Sequence, residues 1–327
     1  MNVRLVQIDG RLPNLALMKL SSYHKTQGDT VTFTRSVARD MFDGTPDRVY
    51  ASAIFEFSRK HLDTFKANWP EAIIGGTGSG HWGTVEDIIG HHDGLDYSIY
   101  PDYAFSLGFS QRGCRLKCGF CVVPKKEGPP KVAATIAGIW RGEGHPKKIC
   151  LLDNDFFGQP REEWRARVAE LRDGGFKVCF NQGLNVRLLD EESCAALATL
   201  EYRDDQFQQR RLYTAWDNIN DEGIFFRGVD MLERAGIPSR HLMVYMLIGY
   251  DPKETQERIA YRFHWMVWSG VKPYIMPYDL SRRDLRAFER WVNTGLYRAV
   301  RFKDYRWGKK QANRGWEIND QCPDLAR

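Results

Sequence analysis

Apolar residues fall into short runs of strand length along this chain, and stretches at helical spacing separate them. Val3 to Ile8 is such a run, Leu15 to Tyr23 repeats at helical spacing, and Thr30 to Thr34 reads as a second strand after the Gly28-Asp29 turn. Arg48 to Ile54 and Ala72 to Ile74 add two strands, with a helix over Glu56 to Trp69 between them. Alternating strand and helix predicts a parallel, doubly wound sheet. The segment His81 to Asp96 is polar and reads as a linker, in which His91 and His92 form a solvated pair. The glycine run Gly75 to Gly80 reads as a tight loop at a strand end, since neither a P-loop lysine nor a GxGxxG spacing accompanies it.

From Tyr103 onward, strand and helix repeat six times. Strands are predicted at Phe105 to Ser110, Ile149 to Leu152, Lys177 to Asn181, Leu212 to Trp216, Met243 to Ile248 and Pro273 to Met276. Pro160 opens one helix, with Trp164, Val168 and Leu171 along a face and Gly174 beyond its end; Pro252 opens another that closes at Gly270. Successive βα units with right-handed crossovers build a barrel whose working face is the carboxyl end of its strands. The expected fold class is therefore α/β. A partial (β/α)6 TIM-like barrel over residues 97–280 follows a small Rossmann- or flavodoxin-like domain over 1–96 and precedes a basic, aromatic extension over 281–327.

Composition changes this picture little. The chain has 327 residues, 43% hydrophobic and 27% charged, which is ordinary for a globular protein with ample core. Its longest apolar runs, such as Leu242 to Ile248, are far too short to span a bilayer, so no membrane partner is expected. Seven cysteines without a secretory leader imply a reducing, cytoplasmic setting in which thiols stay free or hold metal.

Three of those cysteines carry the candidate chemistry. Cys114, Cys118 and Cys121 are spaced C-x3-C-x2-C, with Phe120 just before the last. Structural zinc requires four ligands, usually as two paired clusters, and none lies downstream; a disulfide reading leaves an odd thiol. Three thiolates suit a [4Fe–4S] cluster with one iron left open. Cys150, Cys179, Cys194 and Cys322 are scattered, with no pair at cluster spacing, and Cys150 and Cys194 read as core residues.

This motif resembles that of the radical S-adenosylmethionine (SAM) superfamily, over roughly residues 104 to 280. The resemblance implies a 4Fe–4S cluster held by the three cysteines, with SAM chelated on the open iron and cleaved by one electron from an external reductant of flavodoxin or ferredoxin type. By position it assigns further residues. Asp153 and Asp155, after strand two, take the place of the family motif that bonds the methionine ammonium. On strand three, Lys177, Cys179 and Asn181 share a face by alternation and point to the lumen, and Asn181, Asn185 and Arg187 follow at the rim, with Arg187 suited to grip the SAM carboxylate. Asp217 is placed to hold the ribose hydroxyls. Ile248 and Gly249 stand where the family backs the adenine, and the glycine allows close approach. Lys125, Tyr245 and Tyr274 are substrate-side candidates.

The N-terminal domain resembles a reduced cobalamin-binding or methylthiotransferase module. However, its first strand runs into Ile8-Asp9-Gly10, without the histidine that ligates cobalt, and no cysteine precedes Cys114. The strings Arg112-Gly113-Cys114, Val123 to Gly128 and Arg290 to Asn293 look like a phage and bacterial group of the superfamily, one branch of which isomerises a glycyl group on thymidine during DNA hypermodification. Between Arg282 and Arg314 there are eleven Lys/Arg against three Asp/Glu, interleaved with rings. Arg298, Arg301 and Trp307 are accordingly candidates for contacting DNA or a modified nucleotide by phosphate bonds and base stacking; the rings can also cap the barrel with the charges solvated, and both can hold at once. The resulting expectation is a radical SAM enzyme, an isomerase in preference to a cobalamin-dependent methyltransferase, with a non-catalytic iron–sulfur protein that binds nucleic acid as the third reading.

Overall fold

The computed structural model describes residues 1–39, 44–81, 83–307, 310, 311 and 316. It divides into two compact units, Met1–Ala104 and Phe105–Arg327.

In the first unit, β1 (Asn2–Gln7), β2 (Thr30–Thr34), β3 (Arg48–Ser52) and β4 (Ile73–Gly75) form a parallel sheet in the order β2-β1-β3-β4. Two central positions in β1, Leu5 and Val6, are consecutive and wholly buried, the pattern of a strand covered on both faces. Helix α1 (Leu15–Thr26) begins where the Asn14 side chain accepts the Leu17 N–H at 3.1 Å, and buries Leu17, Met18 and Leu20. Helix α2 (Arg59–Asn68) sets Leu62 and Phe65 against Val6, Ala51 and Ala53. A single turn, α3 (Glu86–Ile89), lies within the stretch read as a linker.

Tyr100 explains why this unit runs past residue 96. Its hydroxyl donates to Gln7 Oε1 at 2.7 Å and accepts from the Asn14 N–H at 3.1 Å, while Asp96 accepts from Ser21 and Lys25. Gly76 and Gly78, in the loop after β4, abut the backbone of Ala53 and Phe55, so a Cβ at either would overlap a carbonyl oxygen. Close packing of two strand-end loops is thus what the glycine run serves.

The second unit begins with β5 (Ser106–Gly108). An antiparallel pair, β6 (Gln111–Arg112) with β7 (Lys131–Val132), then encloses the one-turn helix α4 (Val123–Lys126), and α5 (Ile136–Ile139) leads to β8 (Lys148–Leu151). Next come α6 (Arg161–Asp173), β9 (Lys177–Phe180), α7 (Glu191–Ala198), the short β10 (Glu201–Tyr202), β11 (Leu212–Ala215), α8 (Glu222–Arg234), β12 (Leu242–Ile248), α9 (Gln256–Trp268), β13 (Lys272–Pro277) and α10 (Arg283–Asn293). The strands of this alternation form two parallel sheets, β10-β9-β8-β5 and β11-β12-β13. The architecture is therefore α/β with parallel sheets, as the alternation of the sequence implies.

Strand alternation sorts the side chains. Ile149, Leu151, Val178, Phe180, Val244, Met246 and Ile275 enter one core with Trp164, Val168 and Leu171 of α6, Phe225 and Val229 of α8, and Phe263 of α9. Tyr213, Tyr245 and Tyr274 occupy the opposite side and contact one another, their ring centroids 5.9 and 5.5 Å apart. One helix start differs from the expected position. Thr255, not Pro252, caps α9 through the Arg258 N–H, because Glu254 is turned back to bond the Gly249 N–H at 2.9 Å and the buried Arg262.

The two kinds of glycine in the β4 loop give an outcome to measure. Gly76→Ala, which adds a clash to a left-handed φ of 91°, is expected to destabilise the chain by more than about 2 kcal/mol. Gly80→Ala, at a φ of 77° with nothing within 4 Å, is expected to cost only about 1 kcal/mol. Equal denaturant midpoints for the two variants would refute the close approach.

Candidate active site

The three cysteines lie on one excursion at the carboxyl end of β5. Its base is closed by the β6–β7 pairing, by the Cys114 N–H to Gly128 carbonyl bond at 3.2 Å, and by Arg112, whose Nε and Nη2 bond both oxygens of Glu127 at 2.8 and 2.7 Å. Gly113 is obligatory, because its φ is 83° and a Cβ would overlap the Pro129 carbonyl. Within the loop, Cys114 Sγ accepts the Leu116 N–H at 3.4 Å, and the Cys121 N–H bonds the Cys118 carbonyl at 3.0 Å.

A loop of this length has little core of its own, and the turn after β8 holds it. Asp153 accepts the Ser110 N–H at 2.7 Å and also the Ser110 hydroxyl. Asn154 Oδ1 accepts the Gly113 N–H at 3.1 Å. Asp155, 2% exposed, accepts the Arg115 N–H at 3.2 Å and grips the Arg115 guanidinium at 2.7 and 2.9 Å. Gln111 completes the clasp: its amide donates to the carbonyls of Arg112 and Gly113, and its oxygen accepts the Asp155 N–H. Asp153 and Asp155, assigned from the sequence to the methionine ammonium, thus have their carboxylates engaged by the cysteine loop. Burial pushes the Asp153 carboxyl up to about 7 despite its bonds to Ser110.

Other strand ends reach the same loop. Arg187, after β9, sets Nη2 3.9 Å from Cys118 Sγ, while Nη1 pairs with Asp221 at 2.5 Å and Nε donates to Asn185 at 3.2 Å. Asn181 is half-buried at the end of β9. Asp217, after β11, accepts the Leu247 N–H at 2.9 Å; burial raises its carboxyl, and Cys121 is raised by its own burial with the Asp217 charge adding to it. From the loop after β12, Tyr250 meets Phe120 edge-on at 5.4 Å, and its hydroxyl lies so close to Gly119 that a Cβ there would clash. Gly249 has a φ of 75° and abuts Leu285, so turn geometry and packing account for the glycine, and Ile248 beside it is fully buried. Arg262, fully buried, bonds the Trp216 and Leu247 carbonyls at 2.8 and 2.9 Å as well as Glu254, and so fixes the ends of β11 and β12 together.

The donor set is chemically suited to a cluster. All three thiols are half-buried, and burial raises Cys114 and Cys121, so binding as thiolates would release protons. Among the described residues no group of three His, Cys, Asp or Glu is gathered tightly enough for a single metal ion. A single tetrahedral ion needs converging ligands, whereas a four-iron cubane takes each thiolate at a different corner iron.

Cys150 and Cys179 are in-register neighbours on β8 and β9 and both buried; the adjacent thiol and burial push the Cys179 thiol far up. Cys194 is buried too, and Cys322 lies outside the described residues. Lys125 is exposed on α4.

The rings of the C-terminal extension are mostly packed inward. Trp291, Phe302, Tyr305 and Trp316 are buried in the main core against Phe288 and Phe263. Trp307 packs on that core under the Arg286 guanidinium, so it is not a free stacking platform. Arg298 lies over Tyr297, and Arg301 pairs with Asp304 at 2.7 Å. The expected apolar cap is therefore present, and it leaves the nucleic-acid reading of the cations untouched.

In the first unit, Asp9 accepts the Ile54 and Phe55 N–H groups at 2.7 and 2.9 Å. These amides flank the reversal of strand order between β1 and β3, where open α/β sheets receive ligands. A carboxylate of the chain itself occupies them.

Sequence reading missed Ser110, Gln111, Asn154, Arg115, Tyr250 and the Arg262–Glu254 pair. Only Arg115 carried a signal, a cation inside the cysteine motif two strands away in sequence from the acidic turn. No family model, curated protein or solved structure matches the chain.

Two outcomes follow from the clasp. Asp153→Asn keeps both bonds to Ser110 but cannot ionise. The folded carboxyl titrates near 7, above its ordinary 3.8, so the wild type loses stability from this group as pH rises from about 4 through about 7; the variant should show a flatter decline in chemical denaturation, and an unchanged slope would discount the buried proton. Arg115→Met leaves a buried carboxylate unpaired and is expected to cost about 2 kcal/mol, between an exposed and a fully buried pair. Hydrogen exchange should then quicken at residues 113–121 before it quickens in β8; uniform protection would show the pair to be dispensable.

Proposed function

We propose that this chain is a radical SAM enzyme. The observation that carries the reading is Arg187 beside Cys118: a cation from the end of β9 meets a thiol of the loop after β5, while Tyr250 from the end of β12 lies against Gly119 and Phe120. Residues delivered by separate strand ends thus converge on the C-x3-C-x2-C loop, and on this reading the two parallel sheets are the two arcs of a partial barrel.

Cys114, Cys118 and Cys121 would hold the cluster. When bound, a [4Fe–4S] cluster of this kind supplies the electron that cleaves SAM to methionine and a 5′-deoxyadenosyl radical, which abstracts hydrogen from the substrate. The chain's own residues orient and exclude. Arg187, fixed by Asp221 and Asn185, offsets thiolate charge at Cys118 and offers its remaining donor capacity to an anionic group at the rim. On this reading Asn181, Asn185 and Asp217 line the SAM site, with Asn185 held by Arg187 and Asp217 by the Leu247 N–H. Tyr245, whose phenol burial and the neighbouring Tyr274 hold up at about 12, stays protonated and can position a substrate by donating a hydrogen bond. Hydrogen abstraction needs no base, so a rearrangement is compatible with this site, and the isomerisation of a modified base in DNA remains the preferred substrate reading through the Arg112 to Gly128 string. An external one-electron carrier is required.

Anaerobic reconstitution, reduction and addition of SAM test this. About four irons per chain and production of 5′-deoxyadenosine are expected; S-adenosylhomocysteine would instead favour the methyltransferase, and neither product a non-catalytic role. Changing any one of Cys114, Cys118 or Cys121 to Ala should abolish both the cluster absorption and 5′-deoxyadenosine, whereas Cys194→Ala should spare them. Full turnover by a loop-cysteine variant would sink the assignment.

A further inference from the structure

One face of the β11-β12-β13 sheet carries more chemistry than a hydrogen bond to substrate requires. These strands turn Val244, Met246 and Ile275 toward α8 and α9, and by alternation the opposite face carries Tyr213, Tyr245 and Tyr274. The three rings form a continuous ladder: Tyr213 and Tyr245 are stacked with centroids 5.9 Å apart, and Tyr274 meets Tyr245 edge-on at 5.5 Å. Burial is graded along it. Tyr213 is 7% exposed, with its hydroxyl accepting the Asp205 N–H at 3.3 Å, Tyr245 is half-buried, and Tyr274 is 38% exposed. Among the described residues the Tyr245 and Tyr274 hydroxyls have no hydrogen-bond partner. Cys179 is close enough to act electrostatically on Tyr213 and Tyr245, but it is wholly buried and out of reach of a ligand.

Packing alone does not call for hydroxyls here, since phenylalanine would fill the same space. What a phenol adds, besides a hydrogen bond, is a hydroxyl hydrogen atom that a carbon radical removes readily, because the ring delocalises the unpaired electron left behind. Burial and the adjoining Tyr274 hold the Tyr245 phenol up at about 12, so that hydrogen stays in place at neutral pH. Position suits the task as well. Along β12, Tyr245 stands about 7 Å before Leu247, whose N–H is bonded by Asp217 of the proposed SAM site. Resting on the radical SAM reading, we infer that Tyr245 is the hydrogen-atom donor that quenches the carbon radical at the end of the reaction, and that Tyr274 is the exit through which this donor is restored. A C–H bond forms on the substrate carbon as the Tyr245 O–H bond breaks, which leaves a phenoxyl radical. Tyr245 regains its hydrogen atom from Tyr274. The Tyr274 phenoxyl, at the surface, then takes one electron from the external one-electron carrier and one proton from water. SAM is thereby consumed in each turnover, because the atom returned to the product is not the atom removed from the substrate.

The test uses the reconstituted full-length chain in D2O with SAM, dithionite and no added substrate, so that the 5′-deoxyadenosyl radical is itself the carbon radical to be quenched. Phenolic hydrogens exchange with solvent and carbon-bound hydrogens do not. Wild-type 5′-deoxyadenosine should therefore carry deuterium in its 5′ methyl group. Tyr245→Phe, which keeps the ring and its packing, should lose that label, whereas Tyr213→Phe, at the closed end of the ladder, should retain it. Tyr274→Phe should label only the first equivalent formed and then accumulate a tyrosyl radical, seen by electron paramagnetic resonance as a signal that narrows in protein grown on ring-deuterated tyrosine. That spectrum needs no change at Tyr245, so it reads the same donor if Tyr245→Phe takes up iron poorly. Unlabelled 5′-deoxyadenosine from the wild type, undiminished label in Tyr245→Phe, or no tyrosyl signal in Tyr274→Phe overturns the inference. Loss of label in Tyr213→Phe but not in Tyr245→Phe also overturns it and moves the donor to Tyr213. Absence of any 5′-deoxyadenosine is a different result: it removes the radical SAM reading, and this inference with it.

Discussion

A long polar loop bearing three thiols cannot be held in place by hydrophobic burial, because it has too few apolar side chains of its own. The structure resolves this constraint with a buried polar clasp. Three consecutive residues at the end of β8, Asp153, Asn154 and Asp155, each bond a different point of the loop's first half, at Ser110, Gly113 and Arg115. Buried carboxylates are stable only when their lone pairs are satisfied. Here the loop's backbone N–H groups, the Ser110 hydroxyl and the Arg115 guanidinium do so, and the desolvation that raises Asp153 is the remaining cost of placing an acid there. The geometry at the thiols therefore depends on a strand-end turn and only secondarily on the loop.

The same economy recurs at the other strand ends. Arg262 reaches the carbonyls of Trp216 and Leu247 and, through Glu254, the Gly249 amide, so one fully buried cation fixes the carboxyl ends of β11 and β12. Tyr250 follows directly on that fixed turn, which is why its ring can stand against Phe120 and its hydroxyl against Gly119. In the first unit, Gln7 and Asp9 perform the equivalent task for the loops after β1 and β3. Polar residues at strand ends read from sequence as ligand-binding groups. In this chain many of them bind the chain.

Legibility followed the range of the interactions. Alternating apolar runs report a local property, the burial of one face, and six strands of the second unit, β5, β8, β9, β11, β12 and β13, were readable from them, as were the proline and glycine that bound α6. The start of α9 was not readable, because Glu254 bonds Gly249 and Arg262 in preference to continuing a helix from Pro252. In the C-terminal extension the rings and cations were evident in sequence, but spacing cannot tell a ring that caps a core from one that waits for a base.

By itself the sequence determined the α/β alternation, the parallel strands with their buried faces, and the three-thiol spacing whose chemistry drives the functional proposal. These are set by periodicity and residue type, which survive without knowledge of distant contacts. Only the tertiary structure decided which acids the chain itself engages and which rings were buried. Each of those depends on residues far apart in the chain, such as Asp155 with Arg115, Arg187 with Cys118 and Trp316 with Phe288, that folding alone brings within bonding distance.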